Sequence, residues 1–517
     1  MALNSTVVES LDRIVEEDFG PSIMDAYHDI DEVTRDIVED STGVSRDNLG
    51  RQWNKVHVFK TGLGGAASWR STLGGSLTTG ISSGPGQFTV WGSNAPQTFP
   101  GLTESTAPAY VQVATTLKEM YGIFHVPAEI TRLDQNPNNI GNQMEAIIEA
   151  SARRVALRDH LSWWAESNSS TAGSDTSVGA YASGNVPAGG VTIRANGTVD
   201  GTATNGALIS VFNRYQIARL EVGECVDVFE HDGTDWVKIS AGVPVFVAII
   251  DDIALSVSLV AYSGSNIALT ATRQIELHPF NSSSLSSGSI ITNQPNSMDS
   301  WIVNSGTLFG GSGLTVSGTG GPLTIASYPW FKSLRKTLTG GETTPSEQVF
   351  NRYVMGFFQA KPSACRPDTG ITTPGVKTKY VNALEYTGRR ERTSTPIRIS
   401  GEGFGKEWNQ STDGYSLQIK TSNYCNQGVF YAIKMRDGNI QKVVPPHPNG
   451  VGKDGRFGEF VEFFAKITGP SIFRMTNSST GQATDFLEAP FKRWLQFFPE
   501  YVQSVRLAGF EEDIATS

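Results

Sequence analysis

Cysteine is nearly absent from this chain: three residues in 517, Cys225, Cys365 and Cys425. They lie too far apart for a metal pair and are too few for a disulfide scaffold, so reduced thiols are expected. Long apolar runs are missing too. A membrane-spanning helix needs about 18 apolar residues in succession, and the best candidate, VPVFVAII at 243–250, stops at Asp251 and Asp252. The first 20 residues carry neither the basic nor the apolar part of a secretory signal, so the chain is expected to stay in the cytoplasm where it is made. The seven histidines show neither HExxH nor paired ligand spacing, which leaves ordinary structural histidines as the reading.

Charge of one sign is missing in two places. Residues 1–40 hold 12 acids and only two bases, while the remainder holds 39 of each, so the whole net charge of −10 belongs to the N-terminal arm. A body balanced in this way presents no basic face for grasping phosphates, and sequence-specific DNA binding is not expected. Conversely, no acid stands between Asp47 and Glu104, a stretch rich in Gly, Ser and Thr.

That acid-free stretch contains two patterns with mechanical meanings. Gly62, Gly64 and Ala67 spell GxGxxA, which holds a dinucleotide only between a strand and a helix, with an acid about 20 residues on for the ribose. Here the continuation is broken by glycines, and the first acid is Glu104. Gly80, Ser82 and Gly84 spell GxSxG, which needs a strand-to-helix elbow. Pro85 and Gly86 follow at once, so Ser82 reads as a loop serine. The HDGTD at 231–235 lacks the spacing of a calcium loop and reads as a hairpin turn. Glu145 and Glu149 share a helix face, where ion pairing is commoner than acid–base work. No catalytic constellation results, and no cofactor or metal is expected.

The order of elements carries more. Thr6 and Glu9 form a capping box ahead of Val7, Val8, Leu11, Ile14 and Val15, and after Gly20-Pro21 a second helical stripe runs through Ile23, Tyr27, Ile30, Val33 and Ile37 to end before Gly43. Two acidic helices with so little core need a surface to dock on. Val56 and Val58 on one side, and Phe88, Val90 and Trp91 on the other, suggest strands flanking a long hairpin-like excursion. The longest helix is expected at 136–166, with Ile140, Met144, Ile147, Ile148 and Val155 and a Glu149–Arg153 pair. Residues 218–280 read as an antiparallel unit with a hairpin at Asp232-Gly233, and 281–326 as Ser/Gly-rich connection. A helix opens after Thr344, with Pro345 in its first turn and Glu347 completing the box. A further hairpin is expected around Asp437-Gly438, before a closing aromatic, basic segment at 489–510. Arg389, Arg390 and Arg392 form the densest basic cluster, suited to phosphate or to a neighbour's acids, with a solvated loop as the plainer alternative.

This layout resembles that of the tailed-bacteriophage major capsid protein, over most of the chain and by order and texture rather than by a diagnostic motif. The resemblance implies an α+β capsid fold: residues 1–50 as the N-terminal arm, 51–118 the extended loop, 119–206 a peripheral domain with its spine helix at 136–166, and 207–326 a β-rich insertion with connecting segments. Residues 327–444 would be the axial domain and 445–517 the return to the periphery. It further implies a homo-oligomer of hexamers and pentamers that closes as an icosahedral shell around phage DNA without reading its sequence. Portal, scaffolding or decoration proteins would be partners, and the protein would be made in the host cytoplasm and end in the virion. Some relatives lose an acidic N-terminal segment to a protease; this arm is expected to be retained. Lys60, Trp69, Arg70 and Trp91 would be contacts of the extended loop with a neighbouring subunit, and Arg389, Arg390 and Arg392 candidates for pairing with acids of another copy. A β-rich tail or receptor-binding module is the alternative, and a serine hydrolase using Ser82 ranks last.

Overall fold

The structure is a computed structural model and describes residues 33, 37–46, 52–60, 89–90, 97–98, 110–127, 157–158, 161–164, 191–193, 198–199, 208–211, 214–231, 235–240, 243–261, 266–269, 274–281, 283–286, 289–308, 314–316, 322–359, 366–386, 407–410, 415–435, 439–445, 461–463, 473–476, 483–500 and 503–512. Strands and helices are both present, as an α+β architecture requires, and four sheets organise the described chain.

The first is a four-stranded sheet at the base of the acid-free excursion. Trp53–Lys60 pairs with Tyr110–Thr116, flanked by Val44–Arg46 and Leu314–Val316. The register sets Val56 opposite Ala114, Val58 opposite Gln112 and Lys60 opposite Tyr110, so the chain leaves the sheet at Lys60 and re-enters at Tyr110. The strand expected at Phe88–Trp91 is not the return strand. Thr89–Val90 instead pairs with Gln97–Thr98 in a ladder of its own. The return falls to YVQVATT, whose period-two alternation puts Val111, Val113 and Thr115 on the inner face.

The second sheet is built along one strand, Ala483–Pro499, which is 17 residues long. Lys118–Pro127 pairs with it over Leu495 to Phe486, and Ile440–Val443, Val461–Phe463 and Phe473–Thr476 also pair with it antiparallel. Val38–Asp40 joins the edge, parallel to Ile440–Val443. This corrects the N-terminal expectation: Val33 is helical, but Ile37, the last residue of the stripe, is not, and Val38–Asp40 form a strand in a ladder with distant residues. It also corrects the hairpin expected at Asp437-Gly438. Val429–Ile433 and Ile440–Val443 enter different sheets and do not pair with each other.

The third sheet comes from one stretch of sequence. Its order is Leu208–Ser210, Ser256–Ala261, Val245–Asp251, Cys225–His231, Gln274–Pro279, Val191–Ile193, with Trp236–Lys238 also paired to Cys225–His231. The strands flanking Asp232-Gly233 pair antiparallel as expected, with His231 opposite Trp236, while the turn itself lies outside the described residues. Val226, Val228, Val245, Val247, Val257, Leu259, Ile275 and Leu277 fill a core of its own.

The fourth sheet is mixed: Leu334–Thr337, Val505–Ala508, Val429–Ile433, Thr369–Thr372, Tyr415–Thr421, Glu407–Gln410. On one face lie a helical segment, 347–358, and the helix Pro374–Tyr386, packed through Phe350, Val354, Phe358, Val376 and Tyr380. The first of these starts two residues later than expected. Ser346, not Thr344, is the N-cap, its hydroxyl accepting from the Val349 N–H at 3.4 Å. Asn351–Met355 widens into a π-turn. The other face of the sheet shares a core with the second sheet, where Trp163 stands edge-on to Trp301 at 5.2 Å and to Phe497 at 5.0 Å. Residues 157–158 and 161–163 are helical, in the stretch given to the spine helix; the rest of 136–166 lies outside the described residues.

Candidate assembly site: the root of the excursion and its polar joints

Alternation in Trp53–Lys60 turns Lys55, His57 and Phe59 inward and Val56 and Val58 outward. Each inward side chain meets a residue distant in sequence. Lys55 forms an ion pair with Asp40 and donates to Gln441 Oε1 at 3.1 Å. His57 stacks on Phe498 with ring centroids 3.5 Å apart, and Phe59 stands edge-on to Phe331 at 4.9 Å. The Leu117 N–H donates to the Trp53 carbonyl at 2.9 Å, and Arg46 lies over the Trp53 ring. The excursion therefore starts from a sheet fixed to the second sheet by an ion pair and a ring stack, with Phe59 edge-on to the Phe331 turn beside them.

Electrostatics hold this root in one protonation state. Burial and the neighbouring Lys55 ammonium push His57 down to about 3, against a smaller upward pull from Asp40, so the imidazole is neutral at physiological pH. Burial alone would raise Asp40, but Lys55 and the Thr42 N–H, which donates at 2.8 Å, hold its carboxyl below the usual range.

The outer face of the same sheet is open and mixes apolar Val56, Val58 and Tyr110 with polar Asn54 and Gln112. Val56, Val58 and Tyr110 are 50%, 56% and 57% exposed, and the register places Ala114 beside Val56. An alternating strand more often turns polar groups to water, so two exposed valines beside Tyr110 are the apolar part of this face.

A second node joins the sheets to one another. Asp299, on the short helix Met298–Trp301, accepts from Arg335 at 3.0 Å and from Tyr431 Oη at 3.4 Å, and is ion-paired with Arg506 at 2.7 Å. Asn426 Nδ2 donates to Tyr431 Oη at 3.1 Å, and the Arg219 guanidinium donates to Asn426 Oδ1 at 2.7 Å. Arg219 belongs to the third sheet's unit, so a buried polar chain links that unit to the mixed sheet. Within the third unit, Lys238 pairs with Asp227 at 2.9 Å and His278 with Glu276 at 3.1 Å. Burial and the nearby Asp227 push the Cys225 thiol up, away from thiolate chemistry. Among the described residues no three His, Cys, Asp or Glu side chains stand close enough to hold a metal ion.

Of the residues singled out in the sequence, Lys60 sits at the last rung of the root, opposite Tyr110. Trp69, Arg70, Ser82, Trp91, Arg389, Arg390 and Arg392 lie outside the described residues. The sequence reading missed His57, Lys55 and the Asp299 node. The inward alternation of Lys55, His57 and Phe59 was visible, but their partners, 15 to 441 positions away, were not.

Among solved structures, the chain is similar to the capsid asymmetric unit of cyanophage A-1(L), at 8% identity over 93% of both chains with a TM-score of 0.38. It is similar to the procapsid of satellite phage P4 that includes the size determination protein, at 10% identity over 99% of this chain and 98% of that one, with a TM-score of 0.30. A shorter likeness is to the SrpI encapsulin complex of Synechococcus elongatus PCC 7942, at 10% identity over 34% of this chain and 53% of the other, with a TM-score of 0.19. The structures matched over nearly the whole chain are thus phage capsid and procapsid proteins, the class that the sequence layout resembles. No protein-family model and no curated protein matches the sequence.

Proposed function

We propose that this chain is the structural subunit of a phage capsid, many copies of which associate as hexamers and pentamers into an icosahedral shell around DNA. One observation carries the reading: the braced sheet ends at the paired Lys60 and Tyr110, where the acid-free stretch begins and returns, and Val56, Val58 and Tyr110 on its outer face are half exposed. A subunit that works alone has no use for such a face; one that meets copies of itself through heterologous contacts does.

On this reading residues 1–50 are the arm, 51–118 the extended loop, 136–166 the spine helix, 327–444 the axial domain, 445–517 the return, and 207–326 an inserted β unit. The extended loop lies on a neighbouring copy, with Lys60, Trp69, Arg70 and Trp91 as contacts, and Arg389, Arg390 and Arg392 meet acids of another copy. The protein works by assembly rather than by turnover, and its place is the virion after synthesis in the host cytoplasm. Portal, scaffolding and decoration proteins would be its partners.

Negative-stain electron microscopy of the expressed full chain tests this. Closed shells are expected; fibres would favour a tail or receptor-binding role, and small monodisperse particles at every concentration would sink the proposal. Replacing residues 62–86 by a short turn should leave a folded subunit that builds no stable shell.

A further inference from the structure

Ile253 is the most exposed large apolar side chain among the described residues, at 71%. It does not sit on a loose loop. The turn joining Val245–Asp251 to Ser256–Ala261 is closed by Asp251, whose Oδ1 accepts the Ile253 N–H at 3.1 Å and the Ala254 N–H at 2.8 Å. Leu255 holds a left-handed φ of 50°, a conformation that branched, bulky residues avoid, and the Val211 N–H fixes its carbonyl at 2.7 Å. A strained, doubly bonded turn thus presents Ile253 with the exposed Asp252 carboxylate beside it. Because the turn is already ordered, docking it gives up little conformational freedom.

The same chain carries a surface of opposite character. The single turn Pro329–Phe331 is anchored by buried Phe331 and turns Trp330 outward, 43% exposed and edge-on to Tyr328 at 5.4 Å. Gln503 Nε2 donates to the Trp330 carbonyl at 2.5 Å, which braces the turn, and the exposed Lys332 follows. Both surfaces are open in a single chain, so they do not meet within it.

We propose that the Asp251–Leu255 turn of one copy docks on the Tyr328–Lys332 turn of a second copy, Ile253 against the Trp330 ring and Asp252 against the Lys332 ammonium. Two different patches on each copy make the contact heterologous, so it propagates from copy to copy into a ring or shell. An aromatic anchor meeting an apolar side chain, rimmed by one opposite-charge pair, has the composition of an interface hot spot. This contact rests on the shell-subunit reading and names one of the surfaces that would build it.

The test is a charge exchange in the purified full chain, read as the protein concentration at which light scattering reports assembly. Asp252→Lys and Lys332→Asp should each raise that concentration about five-fold, the weight of a surface ion pair. The double variant Asp252→Lys/Lys332→Asp should return close to the parent value. Thermal unfolding of the unassembled variants should match the parent, since both side chains are exposed. A parent that assembles while either single variant does so at the parent's concentration, or a double variant no better than the singles, overturns this contact and leaves the shell reading standing. A parent that stays monomeric at every concentration overturns both.

Discussion

The third and fourth sheets solve the same problem in opposite ways. The third takes all its strands from residues 191–279 and buries them in a core of its own. The fourth collects strands from residues 334 to 508 and sets Val505–Ala508, nearly the last residues of the chain, between Leu334–Thr337 and Val429–Ile433. A sheet made of neighbours closes short loops; one made of distant strands must close long ones before any pairing rewards it. The third sheet should therefore be the unit that persists when the remainder is damaged. The fourth should fail as a whole, because one of its inner strands comes from the far end of the sequence.

The sharpest way to break this contrast is to end the chain after Ser504. Val505 and Leu507 are fully buried and Arg506 is ion-paired with Asp299, so the loss should exceed the roughly 5–15 kcal/mol that holds an ordinary domain together. Hydrogen exchange should show the mixed sheet unprotected while amides of 225–261 stay protected; equal loss in both would refute the separation. Next in size, Asp299→Asn leaves Arg335 and Arg506 buried without their carboxylate and should destabilise by about 3–5 kcal/mol in denaturant. Gly428→Ala should have a smaller effect, about 1–3 kcal/mol, because Gly428 has a φ of +64° and an added Cβ would lie 2.7 Å from the Phe510 carbonyl oxygen. That substitution should leave exchange in the third sheet untouched.

A further effect is one of pH. His57 has its folded value lowered from 6.5 to about 3, so its neutral form stabilises fully above 6.5, and that contribution is lost as pH falls from 6.5 toward 3. Asp40 acts in the same direction, its contribution present above the ordinary carboxylate range and lost as pH falls through its lowered value. Acidification should thus loosen the root of the excursion. His57→Phe, which keeps a ring on Phe498, should flatten the pH dependence of stability between 6.5 and 4. An unchanged slope would show that the root is not what titrates.

What the sequence made legible follows the same division. The hairpin at Asp232-Gly233 could be read because turn chemistry and alternation are local signals. The hairpin at Asp437-Gly438 carried the same signal and is not formed, because Val429–Ile433 is claimed by Thr369–Thr372 and Val505–Ala508, and Ile440–Val443 by the long strand. The helical stripe ending in Ile37 was cut short in the same manner, its next residues pairing with Ile440–Val443. The site was less legible than the fold. An acid-free, glycine-rich excursion can be seen in composition, but nothing near Lys55 in sequence announces Asp40 and Gln441 as its partners.

The 17-residue strand Ala483–Pro499 has a mechanical consequence. Hydrogen bonds in an antiparallel ladder run across the strands, so a pull along their length loads every rung in shear at once instead of unzipping one after another. Lys118–Pro127 runs beside it over ten residues and leads directly out of the excursion's return strand. Tension arriving through the excursion is thereby delivered along this ladder, the direction in which it yields least.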